Sequence, residues 1–380
     1  MDKDDIGGTD LAELSAALKK GGLDRPAVVL DLDALDHNIA ILKKTADPRL
    51  AWRLVAKSLP SEPLIRYLQN ALGTRKLMVF SDPMLSQLLS GTPTDVLMGR
   101  PMLISSVRRV LGCYPKATHQ VQWLVDSFAR LEEYRELAAE LGTPLRLNLE
   151  IDVGLHRGGF AIEDIARLDT AFRNCKELKL AGLMGYEPHL SKLPSVLAAV
   201  SEKRFEKTYG AFVRWARSMG GEFCFNTGGS LTFHKYQSGG SINEVSFGSV
   251  MVLPTDFKSS ASLGFVPAAY VATPILKVLP SNPWPGLDVL SGLRRRTMDV
   301  AIQGGYFMGE PIYPCKFGYS GIFGRSSNQE IWSGRSKAGL APGDIALLRP
   351  SQSELVLNSL GSMLAYRRDQ GLSEWPVLPH

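Results

Sequence analysis

The stretch "AWRLVAKSLP", residues 51–60, closes an apolar, strand-like segment on a lysine, Lys57, just ahead of a helix-starting "LPSEP". A surface lysine needs no account. A lysine at the mouth of a buried strand does. Outward from this stretch the same texture repeats. Short apolar runs stand at 27–32 (AVVLDL), 52–56 (WRLVA), 76–80 (KLMVF), 95–99 (DVLMG), 122–126 (QWLVD), 145–152 (LRLNLEID), 180–186 (LAGLMGY) and 222–228 (EFCFNTG). Between them lie amphipathic patterns such as "LDHNIAILKKTA", "PLIRYLQNAL" and "SFARLEEYRELAAELG", the last closing on Gly142.

Continuously apolar strands that alternate with helices specify a parallel sheet covered by helices. Eight such runs fit an α/β fold of the (β/α)8, TIM-type barrel kind, with active-site groups at the C-terminal strand ends. Lys57 then closes strand two. The competing doubly wound sheet lacks a GxGxxG after its first strand. Beyond about residue 255, runs such as "AAYVATPILKVL", "DVAIQGG", "DIALLRP" and "SELVLNS" alternate with Gly, Pro and Ser turns, and helical periodicity disappears. The expected organisation is a barrel over 26–258 and an all-β C-terminal domain over 259–380, joined by residues 1–25.

With 44% hydrophobic and 21% charged residues, the composition is that of an ordinary globular protein. The net charge of +5 is mild, and the densest basic run, Arg294-Arg295-Arg296, reads as a solvated edge. No basic stripe interleaved with aromatics is present, so no nucleic-acid partner is expected. Cys113, Cys175, Cys224 and Cys315 form no CxxC pair, which argues against a disulfide framework and for a reduced, cytoplasmic setting. The acidic, polar opening "MDKDDIGGTD" is unlike a signal peptide, and no apolar run is long enough to span a membrane.

Three constellations carry chemistry. Partial desolvation of Lys57 by a barrel wall favours the neutral, nucleophilic amine; the alternative is a harmless strand-end cation. In "NLEIDVGLHRGGF", residues 148–160, the strand turns through Gly154 to His156 and Arg157 with two glycines behind. A guanidinium there can hold an anionic oxygen, or can pair with Asp152 as scaffolding. Glycines beside it suggest close backbone approach. In "FNTGGSLTF", residues 225–233, successive backbone N–H groups with Ser230 and Thr232 offer a phosphate cradle, and "NEVSFGSVMVLPTD" downstream adds Gly248 and Ser249.

Amine, guanidinium and phosphate cradle in one barrel describe a pyridoxal phosphate (PLP) site. The ordered motifs "VLDLDALDHNI", "RLVAKS", "LEIDVGLHRGG", "GLMGYEPHL", "TGGSLTF" and "NEVSFGS" resemble the alanine racemase-like, fold-type III PLP enzymes. The resemblance is nearest to their D-threonine aldolase and D-serine dehydratase branch. It implies that Lys57 binds PLP covalently and that Arg157 contacts its phenolic oxygen. Tyr186 would lie near the pyridine nitrogen, with Thr227, Gly228, Gly229, Ser230, Gly248 and Ser249 at the phosphate. It also makes His189 a base facing substrate. Read from the residues alone, Tyr186 can equally be core packing and His189 a solvated loop residue.

The pattern breaks in two places. Enzymes of that branch hold a divalent metal with a His-x-Cys or His-x-Asp pair, where "LLRPSQSELVL" offers Gln352 and Glu354. Leu54-Val55 replaces the usual Pro-His before Ala-Lys. Both losses are read as a rebuilt pocket without the metal. Tyr319, in "CKFGYSGIFG", resembles the second base of the racemases. The expectation is a PLP-dependent lyase of aldolase type, acting on a β-hydroxy amino acid of D configuration. The alternatives are an amino-acid racemase and a D-serine dehydratase-type deaminase. By family resemblance it is a homodimer acting on a small amino acid, with no nucleic-acid or membrane partner. A non-catalytic PLP-binding protein is the reading from another class, and the β domain argues against it.

Overall fold

The computed structural model describes residues 5–6, 9–91, 95–280, 282–289, 297–335 and 339–379. The basic run 294–296 lies outside the described residues. The chain divides into two units, one of residues 42–57, 65–248 and 378–380, the other of 1–41, 58–64 and 249–377.

In the first unit eight parallel strands close a barrel. In chain order they are Ala51–Val55, Lys76–Val79, Asp95–Met98, Val121–Val125, Leu145–Glu150, Leu178–Met184, Cys224–Thr227 and Glu244–Phe247. Pairing of Glu244 with Ala51 and of Phe247 with Leu54 makes the closure. Surrounding helices form where the 3.6-residue pattern predicts. Phe128–Leu141 starts on Ser127, whose hydroxyl accepts from the Arg130 N–H, and turns its buried Leu131, Tyr134, Leu137 and Ala138 inward.

The barrel strands are shifted relative to the sequence reading. Ala27–Asp31 belongs to the other unit, pairing antiparallel with Ala269–Pro280 and parallel with Met363–Arg367. All five of its residues are buried, so its pattern is that of a barrel strand although its neighbours are not. The eighth barrel strand is instead Glu244–Phe247, a short run whose glutamate and serine disguise it. Lys57 therefore follows strand one. The boundary expected after 258 falls after Gly248, and the N-terminal contribution to the β unit reaches past residue 25 through the strand Ala27–Asp31.

Glu244 faces into the barrel because Arg53 waits there. Arg53 is fully buried; its Nη2 donates to Glu244 Oε2 at 3.0 Å and its Nη1 to the Leu77 and Asp95 carbonyls at 2.9 Å each. Lys76 Nζ stands 3.0 Å from both Asp95 and Glu244. Burial alone pushes the Glu244 and Asp95 carboxyls up, but Arg53 and Lys76 outweigh it and hold both at about 2. Lys76, Asp95 and Glu244 open their strands and Arg53 pairs with Lys76, so the plug ties strands one, two, three and eight at the end opposite Lys57.

The second unit is built on a sheet whose long central strand, Ala269–Pro280, is covered on both faces. Tyr270 and Ala272 face Leu11, Leu14 and Leu18 of the helix Leu11–Lys20. Val271 and Ile275 face Val300, Ile302 and Trp332. Alternation with period two sends successive residues into two different cores.

Candidate active site

Parallel pairing delivers the residues after each strand to one rim. Phe247 pairs with Leu54, so Gly248 leaves the eighth strand level with Val55, just before the single turn Ala56–Ser58 that carries Lys57. Met184 pairs with Asn226 on one side and Glu150 on the other, which brings Tyr186, Gly228 and Asp152 to the same edge. Lys57 is half-buried, and its Nζ lies 4.8 Å from the centroid of Phe80, the residue after strand two.

The loop 151–160 returns on its own strand. The Phe160 N–H donates to the Glu150 carbonyl at 2.8 Å, and the Asp152 N–H to the Phe160 carbonyl at 3.1 Å. Gly159, at φ 98°, leaves no room for a methyl, which would stand 2.9 Å from Asp152 N and Glu150 O. The close backbone approach read from the glycines is thus, at Gly159, to the strand itself. Asp152 does not pair with Arg157: it accepts from the Gly154 and His156 N–H groups at 3.0 Å each and meets His156 Nδ1 at 2.8 Å. Burial raises the Asp152 carboxyl, but these bonds bring it below its ordinary value.

Arg157 instead reaches across the rim. Its guanidinium lies 5.4 Å from the Tyr186 ring centroid and its Nη2 is 4.0 Å from Glu150 Oε1. Burial raises the Glu150 carboxyl, with Arg157 pulling the other way. Tyr186 is 37% exposed, so it is not core packing. Its ring also lies against Gly229, where a methyl would stand 3.2 Å from Cε2. Arg157, Tyr186 and Gly229, from three loops, form one contiguous surface.

The two glycine turns also meet: the Gly248 N–H donates to Ser230 Oγ at 3.2 Å. Behind the first turn lies Glu187, fully buried. Its Oε2 accepts from the Thr227 hydroxyl at 2.9 Å and the Gly228 N–H at 3.3 Å, and its Oε1 from the Thr232 hydroxyl at 2.7 Å. Burial of Tyr236, together with this carboxylate, keeps its phenol protonated far above its ordinary range. Thr227 and the Gly228 N–H, read from sequence as phosphate ligands, therefore face a carboxylate.

His189 sits in the short turn Pro188–Ser191, half-buried rather than solvated. Its Nε2 lies 3.5 Å from where a side chain on Gly154 would begin. Its buried Nδ1 has no hydrogen-bond partner among the described residues.

Ser249 falls in the other unit, where its hydroxyl bonds those of Ser58 at 3.1 Å and Ser353 at 2.8 Å. In that unit Glu354 accepts from Ser58 at 3.0 Å and from Ser353 at 3.4 Å, and Gln352 precedes the turn Ser353–Val356. Among the described residues no group of three or more His, Cys, Asp or Glu side chains is placed to hold a metal ion. Tyr319, on the strand Phe317–Tyr319, donates to the Gly309 carbonyl and has the Arg325 guanidinium 3.8 Å from its ring centroid. Burial raises its phenol, against the pull of Arg325. No helix among the described residues is long and apolar enough to cross a membrane.

Phe80, Glu187 and Tyr236 were not singled out from sequence. The signal for Glu187 was a charged residue directly after a strand-end tyrosine, in "GYEPHL", with hydroxyl residues clustered after the next strand.

Comparison with known proteins agrees with this geometry. Residues 30–255 match the family described as alanine racemase, N-terminal domain. D-threo-3-hydroxyaspartate dehydratase of Delftia sp. (strain HT23) is 26% identical over 186 residues, which is 48% of this chain and 48% of that protein. The aligned region thus spans about half the length of that relative. The solved structure of the same dehydratase covers 94% of this chain and 98% of its own at TM-score 0.73 and 17% identity. D-threonine aldolase from Filomicrobium marinum covers 93% and 97% at TM-score 0.73 and 18% identity. Alanine racemase from Bacillus anthracis, solved with bound L-Ala-P, covers 93% and 98% at TM-score 0.71 and 14% identity.

Proposed function

Because this chain belongs to the alanine racemase-like, fold-type III family of PLP enzymes, we propose that it is a PLP-dependent lyase cleaving a β-hydroxy amino acid of D configuration, in the manner of an aldolase. What carries the reading is one rim holding the Lys57 amine beside Phe80 and the joined surface of Arg157, Tyr186 and Gly229. These residues suit PLP. A half-buried amine can receive its aldehyde, a cation can meet its phenolic oxygen, and an aromatic face lies beside a glycine that leaves space for it. The linked Ser230 hydroxyl and Gly248 N–H are donors that a phosphate can take over. When bound, PLP supplies an electron sink that lets a bond at Cα break.

The protein's share is positioning and proton transfer. Lys57 would hold the cofactor through its amine, and the substrate amine would take its place there. Arg157 keeps an anionic oxygen in place, and Tyr186 fixes the plane against which the scissile bond is oriented. His189 takes the proton of the β-hydroxyl as the Cα–Cβ bond breaks, so that the hydroxyl carbon leaves as an aldehyde. A proton then returns to Cα, giving the shorter amino acid.

Gln352 is an amide, and Glu354 already accepts from two serines, so this pair is a poor fit for a divalent metal. The engagement of the Tyr319 hydroxyl by backbone supports a lyase over a racemase. A second reading, dehydration of the same substrate class, is favoured by the relative named D-threo-3-hydroxyaspartate dehydratase. Incubation with D-threonine, D-threo-3-hydroxyaspartate and D-alanine separates the three. Released aldehyde supports the aldolase, a keto acid with ammonia the dehydratase, and inversion alone the racemase. Activity abolished by a chelator and restored by a divalent ion would contradict the metal-independent site.

A further inference from the structure

A carboxylate with no exposed surface lies behind the turn assigned to the cofactor's phosphate, and nothing in the cleavage chemistry uses it. Burying a carboxylate is costly unless its lone pairs are met by donors. Glu187 meets three: the hydroxyls of Thr227 and Thr232 and the backbone N–H of Gly228. Gly229 joins the same network one step removed, its N–H donating to Thr232 Oγ1 at 3.0 Å while that hydroxyl donates to Glu187. Two successive peptide groups of the turn are thus oriented by one side chain. The Thr227 hydroxyl is also 2.7 Å from the Gly185 carbonyl, which ties the turn to the preceding strand's end.

From this geometry we infer that Glu187 is a positioning residue for the phosphate site. It gathers the donors on the inner side of the 227–232 turn, fixing the turn that carries Ser230, whose hydroxyl and linked Gly248 N–H are donors a phosphate can take over. The inference rests on the PLP reading and adds a claim about this chain alone: affinity for the cofactor's phosphate, rather than for its ring, depends on a carboxylate outside direct contact. Replacing that carboxylate with an amide leaves the Gly228 N–H and the Thr227 and Thr232 hydroxyls sharing one acceptor oxygen and facing a new donor.

The test compares binding of PLP with binding of pyridoxal, which lacks the phosphate, by titrating the apoprotein and following absorbance. In the unaltered protein PLP binds more tightly than pyridoxal. Glu187→Gln is expected to weaken PLP on the order of tenfold, the equivalent of one well-oriented hydrogen bond to a charged group, and to leave pyridoxal nearly unchanged. Thr232→Val, which removes one donor to Glu187 and with it the link from the Gly229 N–H, is expected to reduce the preference in the same direction; it decides the matter should Glu187→Gln fold poorly. Unchanged preference in the folded variants, or equal losses for both ligands, overturns the role of Glu187. A native protein that binds neither ligand overturns the PLP reading itself.

Discussion

Arg53→Met removes the cation at the centre of the barrel floor. The guanidinium donates twice to Glu244, once to the Asp95 carboxylate and once each to the Leu77 and Asp95 carbonyls. Its loss leaves Glu244, with a side chain only 2% exposed, to Lys76, Asn226 and Cys224. The Asp95 side chain is 31% exposed, so solvent screens part of its share. Breaking a buried ion pair from one side costs about 3–5 kcal/mol, and this range is the expected loss in urea unfolding at neutral pH. Arg53→Met combined with Glu244→Gln, which removes the stranded charge, should recover much of it. The plug also sets a pH dependence. Both carboxyls are held at about 2 in the folded barrel, below their ordinary values, so the unfolded chain takes up protons first. The stabilisation is complete above about pH 4.5 and fades as pH falls towards 2, and Arg53→Met should flatten that fall. An Arg53→Met protein less than about 1 kcal/mol weaker, with the same acid profile, would refute the reasoning.

At the rim, His189→Gln should lower kcat for aldehyde release by roughly 10²–10⁴-fold with little change in KM, as expected for a lost general base. Gly229→Val places a branched side chain against Tyr186, whose partly exposed ring can move; steady-state titration should show PLP binding weakened on the order of tenfold with the melting temperature nearly kept. Gly159→Ala, where the backbone leaves no such escape, should lower the melting temperature and activity together.

The barrel was legible because buried parallel strands are short apolar runs, and seven of its eight strands can be read that way. The error came where packing, not pattern, decides. Ala27–Asp31 is as apolar as any barrel strand but is buried between strands of the other unit, and Glu244–Phe247 hides its role because its glutamate is neutralised by a residue far away in sequence. The same holds at the site. Lys57, Arg157, Tyr186 and the glycine turns were visible as residue types at strand ends. That Arg157 lies over Tyr186 rather than pairing with Asp152 depends on how one loop folds back, and local order does not encode it. Glu187 went unread because its donors arrive from the next strand and the turn after it.

The most direct test of the attachment chemistry is borohydride treatment of the PLP-loaded protein followed by mass mapping of its peptides. A single added cofactor mass on the peptide containing Lys57, absent from Lys57→Ala, is the expected result. The mass on any other lysine, or on none, would contradict the account.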